Sequence, residues 1–549
     1  MNGETFKIGD REYYYDPVVR YVLHLRSDIL RNPAELWRIA QKGGVESRVE
    51  RICEKLKNVL SDSKYADGVN QFNSANQEMK NSNYNAAMEH LSLALQFFQE
   101  KQVLEIEAEI YFQMGVCTFN SYKYEEAIGY FNKALELHRK LRDASSEGRD
   151  AICLGITYHN LGDYNRTIAC FKNAQKIYRR IRDESGEAAA YTNLGDAYSE
   201  IYDYEKAVVC FNKALGIYEK LKDLHGMADI WHSLSYVYFG LGRGLRAFEF
   251  VDRSLALHEL LHDEMAVLAD LFLLGNIYYA FPIELRTRDN NREAADVFDG
   301  IVRWHEHKPF ELQEKGDIIG EAYEWYTCGK AYYCLQCSIF GYVGDYLDAN
   351  GDPPDHKGNA IWCFEKALKI YEQINNLIGM INVYDYLGRI YLDFVQGGKE
   401  KGIEYINKAL EISKQIKAQT CTAQLYISLG FQYQKKIEKA IECFNRAIEI
   451  YEKTKNLCGV AKCYIFIGDT YDSYSMETAC ESPKKAIENA LAYYNMALKI
   501  SERINSLYCK KIAYLRIMST YKSLGQERVA RPYADKVMEI CHHLFVSIP

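Results

Sequence analysis

The sequence predicts an all-α protein, a right-handed superhelical α-solenoid of about eleven antiparallel helix pairs. Its 549 residues are 48% hydrophobic and 26% charged, a balance typical of folded chains. Only 9 residues are proline, and an interior proline costs a helix about 3 kcal/mol, so long uninterrupted helices are favoured. A small residue recurs every 40 positions, which indicates a repeated unit that packs on its neighbours.

The 40-residue step is seen in several independent columns of the sequence. Tyr198, Ala207 and Asp223 each belong to a column of their own, with equivalents 40 residues before or after. Columns that share one register predict one structural unit used repeatedly. The small residues that define the register are Ala75, Gly115, Gly155, Gly195, Ser235 and Gly275.

The spacing within one unit predicts two helices in close contact. Gly195 and Tyr198 lie on one face of a first helix, where a small residue allows close approach of the next helix. Ala207, Phe211 and Ala214 follow at i, i+4 and i+7, the apolar stripe of an amphipathic second helix.

Short connections and capping residues predict how these helices are joined. A turn of a few residues between the two helices of a pair makes them antiparallel. The aspartates of one column fall between pairs, where they would cap the next first helix: Asp143, Asp183, Asp223 and Asp263.

These columns resemble the tetratricopeptide repeat family, with a small residue and Tyr in the first helix, then Ala, Phe/Tyr and Ala in the second. The resemblance covers residues 68–545. The usual unit has 34 residues. The 40-residue step is similar to the longer-period subclass of Pins-type adaptors and many prokaryotic repeat proteins. The resemblance implies that the first helices line a concave groove.

Three regions are expected along the chain. Residues 1–66 do not fit the repeat and form a cap or a docking module, with a short hairpin in FKIGDREYYY and helices over 16–41 and 46–61. Residues 67–280 contain the regular repeats, and residues 281–549 contain irregular repeats and a C-terminal capping helix. The irregularity comes from insertions between the helices of a pair, over 281–291, 336–357 and 473–485.

Composition excludes several classes of function. The net charge of −8 and the lack of a Lys/Arg-rich stripe argue against nucleic-acid binding. The apolar runs are too short for a membrane span, and no leader or lipidation motif is recognised. The 16 cysteines are scattered through helical segments, as expected for buried thiols in a reducing cytoplasm.

Four local patterns were considered as metal or redox sites, and packing or turn interpretations are favoured for each. Cys334 and Cys337 supply half of a zinc site, and residues 344–352 fail the calcium-loop pattern at its first and twelfth positions. The pairs His305/His307 and His542/His543 lack a ligand pattern. Nucleotide-binding and hydrolase motifs are also lacking, so we expect no enzyme activity, cofactor or metal.

The resemblance implies which side chains face a partner in the groove. Aromatic residues cluster in the middle units, where they would hold apolar anchors of a partner peptide or helix; the alternative is that several rings pack on the next repeat. The Lys/Asn/Arg clamp of some chaperone-binding relatives is not reproduced. The candidates are His159, Asn160, Thr192, Asp196, His232, Tyr236, Phe239, Phe272, Asn276, Tyr279, Tyr326, Lys330, Tyr333, Asp385, Arg389 and Asp469.

The sequence therefore predicts a non-catalytic scaffold or adaptor whose partner is another protein or a peptide. An alternative is a regulatory sensor, in which a bound partner changes the shape of the superhelix and so controls a separate effector protein. A third possibility, a metal-assisted enzyme at Cys334, Cys337 and nearby histidines, is disfavoured.

Overall fold

The computed structural model describes nearly all of the repeat region and a short piece of the N-terminal segment. The helices predicted over 16–41 and 46–61, the turn over 344–352 and the greater part of the three insertions lie outside the described residues. Those residues are 6–8, 11–13, 65–80, 83–280, 290–340, 356–433, 436–475, 482–504 and 506–546.

Two short strands precede the helices. Strands β1 (Phe6–Ile8) and β2 (Arg11–Tyr13) pair antiparallel, with Phe6 opposite Tyr13. Two residues separate the strands in the sequence, few enough to join adjacent antiparallel strands directly. This hairpin falls in the region predicted to lie outside the repeats.

The first six helix pairs follow one another along the chain. In three of these pairs both helices have 17 residues, which fits the regular 40-residue step. They are α1 (Ala66–Lys80), α2 (Tyr84–Glu100), α3 (Leu104–Asn120), α4 (Tyr124–Lys140), α5 (Ala144–Asn160), α6 (Tyr164–Arg180), α7 (Glu184–Glu200), α8 (Tyr204–Leu221), α9 (Leu224–Gly240), α10 (Gly244–Leu260), α11 (Glu264–Ala280) and α12 (Asn290–His305).

Five further pairs complete the array, preceded by one short extra helix, α13 (Lys308–Lys315). The prediction of an all-α solenoid of helix pairs is confirmed for the described residues. The remaining helices are α14 (Ile318–Phe340), α15 (His356–Gln373), α16 (Leu377–Asp393), α17 (Lys399–Gln415), α18 (Gln419–Gln432), α19 (Ile437–Lys453), α20 (Leu457–Ser475), α21 (Pro483–Arg503), α22 (Leu507–Ser523) and α23 (Glu527–Val546).

In several units the small residue is a glycine that lies against the aromatic ring of the second helix, so the predicted close approach is present. A Cβ atom added at Gly195 would lie 2.5 Å from Phe211 Cε1, and one at Gly430 would lie 2.5 Å from Phe444 Cε1. Glycine is therefore required for the observed contact between the two helices of a pair, because any side chain would overlap the ring.

The predicted aspartate caps are also present. Asp183 Oδ1 accepts the backbone N–H of Gly186 at 2.9 Å, and Asp223 Oδ1 accepts that of Gly226 at 3.0 Å. Each bond satisfies a donor at the start of a first helix that would otherwise lack a partner.

The superhelix turns far enough for its two halves to touch. We call this contact the seam; it joins the turns at 121–122, 161–162, 201–202 and 241–242 to residues 376–378, 417–420, 454–462 and 506–511. Across it, Tyr122 OH donates to Asn376 Oδ1 at 3.4 Å, and Lys511 Nζ donates to Leu241 O at 2.9 Å. The array therefore has contacts between units that are far apart in sequence.

Candidate partner-binding groove

The structure divides the predicted groove residues into accessible and buried groups. Asn160, Phe272, Tyr326, Tyr333 and Asp385 are buried, and the side chain of Tyr279 lies outside the described set. The half-buried candidates are His159, Thr192, Asp196, His232, Tyr236, Phe239, Asn276, Lys330, Arg389 and Asp469.

First helices differ in how much of their surface remains accessible. Most residues of α3 and α5 are buried, on every face of the helix, whereas fewer than half of the residues of α9 are. His232, Tyr236 and Phe239 lie on the more accessible helix. The predicted groove residues on this helix are therefore partly exposed.

Three of the predicted aromatic residues pack within the array. Tyr326 contacts the rings of Phe364 and Tyr386, with ring centroids 5.9 Å away in each case. Tyr333 lies edge-on to Tyr386 at 5.5 Å, and burial raises its pKa well above the usual value. These rings stabilise the contact with the next pair, which is the packing alternative raised from the sequence.

Phe272 has a mixed environment. Its ring lies 6.1 Å from that of Phe298, and Lys330 Nζ lies 4.4 Å from the ring centroid. Lys330 is half-buried, so the ammonium group covers an aromatic surface at the junction of two first helices.

A buried charge pair lies on α16. Arg389 donates to Asp385 Oδ2 one helical turn away, and burial of Asp385 raises its pKa although Arg389 opposes the rise. Asp385 Oδ1 and Asn382 Oδ1 have no hydrogen-bond partner among the described residues. Burial also raises the pKa of Asp393 to about 6, again against the opposing charge of Arg389.

The last predicted groove residue, Asp469, is contacted by the second helix of its own pair and by the following pair. Tyr494 OH donates to Asp469 Oδ1 at 2.8 Å, and Arg516 Nε lies 2.9 Å from the same oxygen. Burial raises the pKa of Asp469, and the Arg516 charge and the Tyr494 hydrogen bond oppose it.

The early candidates contact neighbouring helices or the backbone of their own helix. His159 lies edge-on to Tyr164, with 5.4 Å between ring centroids, and Asn160 is buried beside the Tyr124 phenol. Thr192 Oγ1 donates to the backbone oxygen of Ala188. Asp196 belongs to the environment of Tyr218, whose pKa is raised to about 12, chiefly by burial.

A histidine–aspartate network links α9, α10 and α11, and the sequence predicted only its member His232. His232 Nδ1 lies 2.6 Å from Asp270 Oδ1, and His258 Nδ1 lies 2.7 Å from Asp270 Oδ2. Ser254 Oγ donates to Asp270 Oδ2 at 2.9 Å. The signal that could have found it is a single carboxylate, Asp270, in the otherwise apolar run VLADLFLLG.

The cysteine pair singled out in the sequence is buried in α14. Burial raises the pKa of Cys334 to about 12 and that of Cys337 well above its usual value, so both are held as thiols. His305, from the His305/His307 pair considered above, forms a hydrogen bond through Nδ1 to Glu324 Oε2 at 2.7 Å. Among the described residues, no group of three or more His, Cys, Asp or Glu side chains is placed to hold a metal ion.

Within the part of the chain that the structure describes, no helix combines the length and apolar character needed to cross a bilayer.

Parts of the repeat region match models of a known protein family. Tetratricopeptide repeat family models match residues 150–220 and 431–454. A search of curated protein sequences found no match.

Several solved structures align along much of the chain at low identity. A Rap protein complexed with competence and sporulation factor is 12% identical, with a TM-score of 0.40 over 73% of this chain and 98% of that one. Yeast Tom70 is 12% identical, with a TM-score of 0.37 over 87% and 93%. A human IFIT1 dimer with m7Gppp-AAAA is 15% identical, with a TM-score of 0.39 over 84% and 94%. At these TM-scores, none of the three informs the function of this chain.

The first matched segment spans two helix pairs with the small residue and the aromatic contact described above, and the second spans the second helix of one pair. In the first match, Gly155 and Gly195 receive Phe171 and Phe211, and in the second the pair's aromatic is Phe444. The chain therefore contains tetratricopeptide repeats, which the family models match over residues 150–220 and 431–454.

Proposed function

We propose that this chain is a non-catalytic interaction scaffold that holds a segment of another protein against the first helices of its middle pairs. The observation that supports this most directly is the accessibility of α9, where His232, Tyr236 and Phe239 remain half-buried. Half-exposed aromatic side chains in a concave surface are suited to burying apolar anchors of a partner.

The buried candidates have a different role in this proposal. Phe272, Tyr326 and Tyr333 fix the positions of neighbouring first helices, so they shape the groove without being displaced. Truncating such a ring costs about 3–5 kcal/mol of stability, which would confuse a loss of binding with a loss of structure. The binding test therefore uses the accessible residues.

The test compares three forms of the purified chain as bait in extract from the native cell. The groove variant is Tyr236→Ala/Phe239→Ala, which keeps His232 in contact with the buried Asp270, and the control is Val209→Ala/Leu245→Ala, which truncates side chains exposed elsewhere at 54% and 59%. We expect one protein, identified by mass spectrometry, to be retained by the wild type and the control and reduced about tenfold by the groove variant.

Equal recovery of every captured protein by the groove variant and the control would reject the groove. Binding of the identified partner to the purified forms, measured by calorimetry, then tests whether the contact is direct. Circular dichroism of the three forms checks that helix content is unchanged.

The regulatory sensor remains the second candidate because of one specific feature, the seam. A solenoid whose halves touch can exist with that contact closed or open, which gives a bound partner two shapes to choose between. A scattering profile that is identical with and without the identified partner would argue against the sensor and leave the scaffold standing.

A further inference from the structure

At the seam, one position of the repeat alternates between Tyr and Gly along four consecutive units. The residue in the left-handed backbone conformation after each first helix is Tyr122, Gly162, Tyr202 and Gly242 in four consecutive units, with φ of 62°, 78°, 61° and 75°. The corresponding position after the second helices is mostly occupied by long polar residues, such as Arg142, Arg182 and Lys222. The left-handed position in the turn within a pair is therefore occupied by Tyr or Gly, whereas the one between pairs is mostly occupied by long polar residues.

The two glycines permit close approach of the other half of the chain. A Cβ atom at residue 162 would lie 2.8 Å from Thr420 Oγ1, and one at residue 242 would lie 3.0 Å from Lys511 Nζ. Their positive φ is also one that glycine adopts without strain.

Tyr122 and Tyr202 differ from these glycines, because a bulky residue is strained at positive φ. Both rings are used across the seam. Tyr122 donates its hydroxyl to Asn376, while the Tyr202 ring stacks on Tyr508 with 5.8 Å between centroids. Lys462 Nζ lies 3.5 Å from the centroid of the Tyr202 ring.

Beside these rings the seam has further apolar contacts, such as Tyr204 edge-on to Tyr508 with 5.4 Å between centroids, and a set of polar ones. Lys417 pairs with Glu125, and both side chains are more than half exposed. Tyr164 OH and Thr420 Oγ1 are 3.4 Å apart, a long contact for two hydroxyl groups. Exposed ion pairs and long hydrogen bonds are weak individually, so the buried aromatic group around Tyr202 supplies the central contact.

Opening the seam leaves the contacts between neighbouring pairs intact. In a solenoid, stability comes mainly from each unit and its nearest neighbours, so separation of distant units does not unfold any of them. The seam can therefore open and close while the helix pairs remain folded.

We infer that the seam is a reversible intramolecular latch, closed by the strained turn tyrosines Tyr122 and Tyr202, that sets the pitch of the superhelix and the width of its groove. This inference concerns the free chain and does not depend on whether the groove binds a partner.

A zero-length carbodiimide cross-link reports the closed latch directly. It joins a carboxylate to an amine only when they are in contact, and Glu125 and Lys417 are on opposite sides of the seam. Glu184 and Lys220 form a comparable exposed ion pair within a single helix pair, so their cross-link is an internal control for the chemistry and for local folding. Both products are quantified by mass spectrometry of the digested monomer.

The test variant is Tyr122→Gly/Tyr202→Gly, which removes both rings and relieves the strain at positive φ. The control variant is Arg182→Gly, which relieves the same backbone strain at an exposed position outside the seam. We expect the ratio of the Glu125–Lys417 product to the Glu184–Lys220 product to fall about tenfold in the test variant and to stay unchanged in the control.

A wild-type chain without the Glu125–Lys417 product, or a double variant with an unchanged ratio, would overturn the latch. If the double variant loses the Glu184–Lys220 product as well, Lys462→Met decides the question. This change removes the cation from the Tyr202 ring while keeping a side chain of similar length. A fall of about threefold supports the latch, and an unchanged ratio rejects it.

Discussion

Two adjacent junctions of the array are built from different chemistry at the same repeat position. Between the fourth and fifth pairs, the Tyr218 ring lies over Gly226, where a Cβ atom would be 2.5 Å from the ring. Between the fifth and sixth pairs, His258 occupies the equivalent position and bonds to the buried Asp270. One junction depends on the fit of a ring, and the other depends on a charge pair.

These two kinds of junction, a tyrosine ring over a glycine and a histidine bonded to a buried aspartate, are both found again elsewhere in the chain. Tyr178 lies over Gly186 in the first manner, whereas His138 Nδ1 lies 2.6 Å from Asp150 Oδ2 in the second. Ring-over-glycine contacts are insensitive to protonation, but a buried histidine–aspartate pair is stable only in the right charge state. The difference means that the junctions of one solenoid should respond differently to the same change in conditions.

The largest expected effect is the loss of the charge partner at the junction of the fifth and sixth pairs. Asp270→Ala removes the buried carboxylate that His258 Nδ1 contacts at 2.7 Å, and breaking a buried pair in this way costs about 3–5 kcal/mol. We expect amide hydrogen exchange in α10 and α11 to accelerate at pH 7, while exchange in the first three pairs is unchanged.

The matched control for this prediction is Glu136→Ala. It breaks the ion pair of Glu136 with Lys140, which is equally short at 2.7 Å but mostly exposed on both sides. If amide hydrogen exchange in α10 and α11 is equally fast in Asp270→Ala and Glu136→Ala, the buried pair does not stabilise the junction.

The next effect is a dependence on pH. Burial alone lowers the pKa of His258, but its contacts with Asp229 and Asp270 outweigh burial and raise the pKa to about 9. A raised pKa stabilises the folded state below the unfolded value of about 6.5, and this stabilisation is lost as the pH rises through about 9. We expect the junction to lose about 3 kcal/mol between pH 6.5 and 9.5, measured as local exchange in α11 corrected for intrinsic rates.

Exchanging the junction chemistry provides the control for the pH effect. His258→Tyr/Ala266→Gly/Asp270→Ile copies the residues found 40 positions earlier, Tyr218, Gly226 and Ile230. The copied junction should have no pH dependence over the same range. A pH dependence that persists in this variant would show that it arises elsewhere.

The smallest of these effects concerns the ring-over-glycine junction. Gly226→Ala places a methyl group within 2.5 Å of Tyr218 Cδ1, near the base of the ring, and such overpacking costs about 1–3 kcal/mol. Thermal unfolding followed by circular dichroism should show a lower midpoint for this variant.

Gly216→Ala is the control, because a Cβ atom there meets nothing within 4 Å. Replacing an open mid-helix glycine with alanine raises stability by about 0.5–1 kcal/mol, so the two alanine variants should shift the midpoint in opposite directions. Shifts of the same sign would contradict the packing explanation.

Features that depend on local spacing could be predicted from the sequence. The contact of Gly195 with Phe211 and the cap formed by Asp223 follow from residues close together within one 40-residue step. The identity of the fold follows from the repetition of those features, because each unit needs a neighbour of the same kind to bury its apolar face.

Features that depend on the accumulated twist of the solenoid could not be predicted. Tyr122 and Asn376 are 254 residues apart, and their contact depends on the curvature of every pair between them. For the same reason, the position of Tyr326 in a first helix did not reveal that Phe364 and Tyr386 cover its ring. The alternation of Tyr and Gly at residues 122, 162, 202 and 242 was the one sequence signal of the seam.

The seam also constrains how the chain can change in length. Deleting a complete 40-residue unit between the two halves would preserve every junction between neighbours, as in any repeat array. It would nevertheless place a different partner opposite Tyr122, Gly162, Tyr202 and Gly242 at once, since all four contacts share one registration. A solenoid that touches itself has a fixed number of units per turn, and loses the freedom to gain or lose repeats that an open array retains.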